Sequence, residues 1–147
     1  METTSPHPLF SKICGANQPS STAKQGMGSQ TLGLLGEELA CHYLAGMGYK
    51  ILLKNYENSL GEIDLVAKEK GTLVFIEVKT RSSLSMGSPL ESVTFHKRAQ
   101  IVKCAKYYMK RYGIKDVPCR FDVVSILIPP GEEPRIELIE NAFCEGD

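Results

Sequence analysis

Apolar residues along this chain change their spacing several times, and each change marks an element. Up to about residue 30 the sequence is rich in Ser, Thr, Gly, Gln and Pro with almost no apolar periodicity. Residues 1–30 therefore read as a disordered tail and residues 31–147 as one domain. From Thr31 onward Leu32, Leu35, Leu39, Tyr43 and Met47 recur at helical spacing, with Gly48 placed to cap the helix. Tyr49 to Tyr56 then alternates as a strand, Tyr49, Ile51 and Leu53 against Lys50 and Lys54. Two apolar runs, 61–67 and 73–79, follow, joined by Lys68-Glu69-Lys70-Gly71-Thr72, where Gly71 is the natural turn residue. A second helix is expected over Leu90–Tyr112, with Ile101, Cys104, Ala105, Tyr108 and Tyr112 on one face and Gly113 ending it. Phe121–Ile128 reads as a strongly apolar strand, Pro129-Pro130-Gly131 breaks it, and Arg135–Ile139 forms a short last strand. This order predicts a mixed α/β domain, a central sheet flanked by helices.

The hairpin carries the chemistry. Alternation puts Glu62 and Asp64 on one face of its first strand, and Leu73, Phe75, Glu77 and Lys79 on one face of its second. A turn centred between Lys70 and Gly71 sets Asp64 opposite Glu77 and Glu62 opposite Lys79. Directly opposed residues have Cβ atoms about 4.5–5.5 Å apart, and like charges there repel. Two carboxylates at that distance call for a cation. Hard oxygen ligands select magnesium or manganese, and magnesium takes one or two carboxylates plus water and substrate phosphate. A lysine beside them suits phosphodiester hydrolysis, orienting a water and offsetting developing charge. The plain alternative is an exposed hairpin laced with ion pairs such as Glu62–Lys79. Against it stand Val74, Ile76 and Val78, which make the other face wholly apolar, so the strand reads as buried on both sides.

Charge and composition narrow the field. The chain has 147 residues, 42% hydrophobic and 23% charged, enough for one globular domain. No run approaches the roughly 18 apolar residues of a membrane span. No hydrophobic core flanked by basic residues marks a secretory signal, and the five cysteines show neither metal-type spacing nor an even count for a disulfide framework, so a cytoplasmic location is expected. His7, His42 and His96 lack zinc spacing, and neither a Ser-His-Asp arrangement nor a glycine-rich phosphate loop is present. Net charge is zero, but between His96 and Arg120 eight lysines and arginines face a single acid, Asp116. Such a basic flank beside an acidic pocket suits a metallonuclease, in which the flank holds the phosphate backbone. Lys97 and Arg98, one turn before the apolar stripe of the second helix, are candidate phosphate contacts, with snorkelling stems as the bland alternative. Lys103, Lys106 and Lys110 read as a solvated helix face. The polar loop Thr80–Pro89, which begins with Arg81, reads as mobile and placed to meet substrate. Arg120 and Asp122 share a face and read chiefly as a structural ion pair. Glu37 falls at the edge of the first helix's apolar stripe and Glu38 well outside it, which favours Glu37 as the inward-pointing acid, with a plain surface glutamate as the alternative.

Gly36-Glu37, Gly61-Glu62-Ile63-Asp64, Phe75-Ile76-Glu77-Val78-Lys79-Thr80-Arg81 and Arg120-Phe121-Asp122 resemble, in this order, the blocks of the bacterial YraN-type family of nuclease-like proteins. More remotely their spacing is similar to archaeal Holliday-junction resolvases and the PD-(D/E)xK nuclease superfamily, with Ile63 standing where the superfamily's name has proline. The resemblance covers about residues 31 to 143. It implies a restriction-endonuclease-like fold and a magnesium- or manganese-dependent endonuclease acting on DNA, branched or otherwise structured. Asp64 and Glu77 would be metal ligands, Lys79 the water-orienting residue and Glu37 an additional catalytic acid; Arg81 joins Lys97 and Arg98, read above from the second helix, as a candidate nucleic-acid contact. A homodimer is implied as well, although no surface for it is legible. A nuclease-derived module that binds nucleic acid or protein without cutting is the alternative.

Overall fold

A computed structural model describes residues 28–83 and 87–146. Its elements, in chain order, are α1 (Ser29–Gly46), β1 (Lys50–Asn58), β2 (Gly61–Glu69), β3 (Thr72–Arg81), α2 (Phe95–Arg111), β4 (Cys119–Leu127) and β5 (Arg135–Phe143). The strands form one five-stranded sheet in sequential order, antiparallel except for β3 and β4, which run parallel. The parallel pair requires a crossover, and α2 makes it. This is a restriction-endonuclease-like α/β fold, as expected. The disordered-tail reading falls mostly on residues outside those described, and the helix begins two residues before Thr31.

The helices cover opposite faces of the sheet. Leu39, Ala40 and Leu44 of α1 pack with Leu65, Ala67, Val74, Ile76, Val124 and Ile126. Ile101, Val102, Cys104, Ala105 and Tyr108 of α2 pack with Ile63, Val66, Leu73, Phe75, Phe121, Val123 and Phe143. Strands β2, β3 and β4 are therefore buried on both faces, which explains their continuous apolar runs. Aromatic rings knit the α2 layer: Phe75 stacks on Phe121 at 5.6 Å between centroids and meets Tyr108 edge-on at 5.8 Å.

Helix α2 starts at Phe95, not Leu90. The intervening residues are taken by local side-chain bonds: Ser88 N–H donates to Glu91 Oε2, Glu91 N–H to Ser88 Oγ, and Ser92 Oγ–H to the Pro89 carbonyl. Such bonds offer the backbone an alternative to the helix. Thr94 then caps α2, its hydroxyl accepting from Lys97 N–H at 3.2 Å. At the far end of the sheet Arg120 Nε lies 3.1 Å from Asp122 Oδ1, the ion pair read from their shared face. Asp122 is fully buried, and also accepts from the Tyr49 hydroxyl at 3.0 Å and Asn141 N–H at 2.9 Å, while Arg120 Nη1 reaches Glu69 Oε2 at 3.0 Å. This network joins β2, β4, β5 and the start of β1.

Candidate active site

The β2–β3 ladder runs from Glu69↔Thr72 to Leu65↔Ile76, the register expected from a turn at Lys70-Gly71. Continuing it by one pair sets Asp64 opposite Glu77, but there the ladder stops and the strands part. Asp64 takes over the role of a backbone acceptor: its Oδ2 accepts from Val78 N–H at 2.8 Å. The pattern of burial shows the same break. Ile63 packs in the α2 layer with Val66, whereas Leu65 and Ala67 pack in the α1 layer. The expected strict alternation that put Glu62 and Asp64 on one face is thus corrected. It slips at Asp64, because the side chain turns toward β3 instead of standing clear of the sheet. Strand β3 keeps its alternation, with Leu73 and Phe75 in the α2 layer and Val74 and Ile76 in the α1 layer.

Glu77 is 5% exposed, and its Oε2 is a buried oxygen with no hydrogen-bond partner. Burial, and then the Asp64 carboxylate, push its pKa up from 4.5 to about 7, against the pull of Lys97 and Lys79. Lys79 Nζ lies 3.5 Å from Glu77 Oε1, so the lysine pairs with Glu77, the neighbour two residues before it on β3. Lys97 comes from the first turn of α2 and is close enough to act on the Glu77 charge. Gly61 lies against the Gln100 side chain of α2, where a Cβ would come within 2.8 Å of Gln100 Cγ, and its φ of +150° favours glycine at this position.

Glu37 reaches from α1 to the edge strand β1. Its Oε2 accepts from Asn55 Nδ2 at 3.3 Å. The preceding Gly36 is buried against β3, where a Cβ would come within 1.8 Å of Thr80 Oγ1. Among the described residues no three His, Cys, Asp or Glu side chains converge to hold a metal. The acids at the fork where β2 and β3 part are thus the pair Asp64 and Glu77. Their chemistry fits a hard divalent cation: two opposed carboxylates, one with an unpartnered buried oxygen.

The other candidate contacts divide. Arg98 donates from Nε to the Val93 carbonyl at 2.8 Å and from Nη2 to the Leu90 carbonyl at 3.0 Å, and lies over the Phe143 ring. Arg81 Nη1 donates to the Gly87 carbonyl at 2.7 Å. Both guanidinium groups tie down the β3–α2 connection, the loop read as mobile, of which residues 84–86 lie outside those described. Lys97 instead faces the fork. Two residues went unnoticed in the sequence. Ser125, buried and in register with Lys79 on β4, is a lone hydroxyl in the apolar run 121–128, which was the available signal. Asn55 sits in β1 at φ +51°, and an asparagine inside an alternating strand was the hint.

The profile of the family described as "Uncharacterised protein family UPF0102" matches residues 36–126, a span that holds Glu37, Asp64, Glu77 and Lys79. The chain belongs to this family. It is the YraN-type group whose blocks the sequence resembles. A UPF0102 protein of Trichlorobacter lovleyi is 44% identical over 119 residues, 80% of this chain and 94% of the relative. One from Caldanaerobacter subterraneus subsp. tengcongensis is 43% identical over 116 residues, 78% of this chain and 95% of the relative. One from Clostridioides difficile is 43% identical over 117 residues, 80% of this chain and the whole of the relative. UPF0102 membership thus extends over nearly the full length of these relatives. Among the described residues no helix is long and apolar enough to cross a membrane.

Proposed function

We propose that this UPF0102 protein is a metal-dependent endonuclease that hydrolyses phosphodiester bonds of DNA, with branched or structured DNA as the substrate class. The observation that carries the reading is the fork itself: Asp64 tied to Val78 N–H, Glu77 buried beside it with a free oxygen, and Lys79 on Glu77. Asp64 and Glu77 would hold magnesium or manganese. When bound, such an ion supplies Lewis-acid polarisation of a phosphoryl oxygen and a lowered pKa for water. Asp64 is held in place by its bond to the Val78 backbone, so its carboxylate is fixed before any ligand arrives. Lys79 is anchored on Glu77 and presents its ammonium at the fork, where it orients a water and offsets charge on the phosphorane-like transition state. Lys97 adds a second positive charge from the α2 side and would meet a substrate phosphate.

A second reading has one observation in its favour. No third acid converges on the pair among the described residues, which suits a module that binds nucleic acid without cutting. Purified protein is incubated with linear, flapped, branched and single-stranded DNA in magnesium, in manganese and in chelator. The endonuclease reading expects cleavage that requires metal. Binding without cleavage under every metal would replace it with the binding module.

A further inference from the structure

We propose that a pocket at the carboxyl ends of β3 and β4, on the same face of the sheet as Glu77 and Lys79, receives one unpaired nucleobase of the substrate DNA. It would give the site its preference for flapped or branched strands. This rests on the endonuclease reading and deepens it.

The strand registers place the pocket relative to the acids. Glu77, Val123 and Ile139 form one row across β3, β4 and β5; Lys79, Ser125 and Glu137 form the next, and Arg81, Leu127 and Arg135 the one after. Val123 and Ile139 lie in the α2 layer, so alternation puts Lys79, Leu127 and Arg135 on that side as well. Two rows amount to about 13 Å along the strands, a few nucleotides' reach at about 3.4 Å of rise each. Among the described residues, Leu127 is half-buried yet belongs to neither apolar layer. Its side chain is apolar surface that the core leaves over, at the strand ends where open sheets of this kind take their ligands.

The cavity has a volume of about 210 Å³ and is lined by Ser82, Ser83, Leu127, Pro129, Glu132 and Arg135. Drug-sized ligands take roughly 300–1,000 Å³, so the space suits a single planar ring system. Leu127 and the rigid ring of Pro129 offer apolar surface to the face of a base. Ser82, Ser83 and Arg135 bring donors and Glu132 brings acceptors, the two functions that the edge of a base requires once its pairing partner is gone. A phosphate would suit Arg135 and the serines but would meet repulsion from Glu132, so the lining favours a base over the backbone. The walls are tied down. Ile128 N–H donates to the Arg81 carbonyl at 2.7 Å, Glu132 N–H to the Pro129 carbonyl at 3.2 Å, and Arg81 Nη1 to the Gly87 carbonyl at 2.7 Å. Arg135 and Glu132, by contrast, are exposed and 3.9 Å apart, too far for a hydrogen bond, which leaves both groups open to a ligand. A base inside a duplex has its edge paired and its faces stacked, so only an unpaired one can enter.

Flapped DNA is prepared intact and with a single abasic nucleotide moved through each unpaired position, beside a fully paired duplex of the same length. Affinity of the full chain and of R135A is read by fluorescence anisotropy in chelator, and cleavage as kcat/KM in magnesium. Wild type is expected to lose about 10-fold in both at one abasic position, the effect of removing one stacked base. R135A should lose a similar factor on the intact flap, show no further loss from that abasic nucleotide, and match wild type on the duplex. Wild type indifferent to every abasic position would overturn the pocket. So would R135A weakened equally on flap and duplex with a salt slope lower by about 0.9, which is the signature of a phosphate contact. Metal-dependent cleavage by wild type leaves the endonuclease reading standing in either case. Wild type that shows the abasic signature in binding yet never cuts keeps the base pocket and removes the endonuclease reading; wild type that neither binds nor cuts removes both.

Discussion

Replacing Glu77 with glutamine should make the metal-free protein more stable at alkaline pH. Glu77 is 5% exposed and carries a pKa of about 7 in place of 4.5, first because it is buried and then because Asp64 faces it. Between these two pH values the folded protein holds a proton that the unfolded chain has released. Stability from this group is therefore fully present below pH 4.5 and is lost as pH rises through about 7. At about 1.4 kcal/mol per pH unit, the loss comes to about 3 kcal/mol by pH 8. Glutamine imitates the protonated acid at every pH. Glu77→Gln should match wild type near pH 4.5 and exceed it by about 3 kcal/mol at pH 8. Urea unfolding in chelator at the two pH values measures this directly, since the midpoint shifts with little change in slope. Saturating magnesium should then stabilise wild type and not the variant, because a ligand stabilises only the state that binds it. A variant that loses the same stability at both pH values would refute the reasoning, for it would mean that Glu77 is not strained by burial and by Asp64.

Asp64→Asn should abolish manganese binding and cleavage together, whereas Lys79→Ala should bind manganese as wild type does and cut about 100-fold more slowly; calorimetry and single-turnover rates separate the two, and equal losses of binding in both would remove Lys79 from its water-orienting role. Lys97→Ala should leave stability near wild type but lower the salt slope of DNA binding by about 0.9, whereas Arg98→Ala should leave the slope alone and cost about 2–3 kcal/mol, from the two carbonyl bonds it gives up. Urea unfolding and salt-dependent binding of both variants check this, and a changed slope in the Arg98 variant would return that residue to the DNA surface. Asp122→Asn should cost about 3–5 kcal/mol in urea unfolding, because it breaks a buried pair and leaves Arg120 short of its counter-charge.

The sequence by itself determined what depends on neighbours along the chain. The hairpin register follows from a short turn with Gly71 at its centre, so Asp64 and Glu77 were legible as opposed acids. The two-sided apolar character of β3 follows from alternation, and so does the pairing of Arg120 with Asp122. Only the tertiary structure decided where that local logic gives way. Alternation breaks at Asp64 because a side chain found a backbone donor on another strand. Helix α2 starts late because Ser88, Glu91 and Ser92 compete with it for the backbone, and Arg98 is taken up by the Leu90 and Val93 carbonyls of that segment. Asn55 was invisible as a partner of Glu37, since a left-handed residue in a strand is sustained by contacts distant in sequence. Periodicity records the environment averaged over a whole face, while a site depends on single atoms meeting across elements.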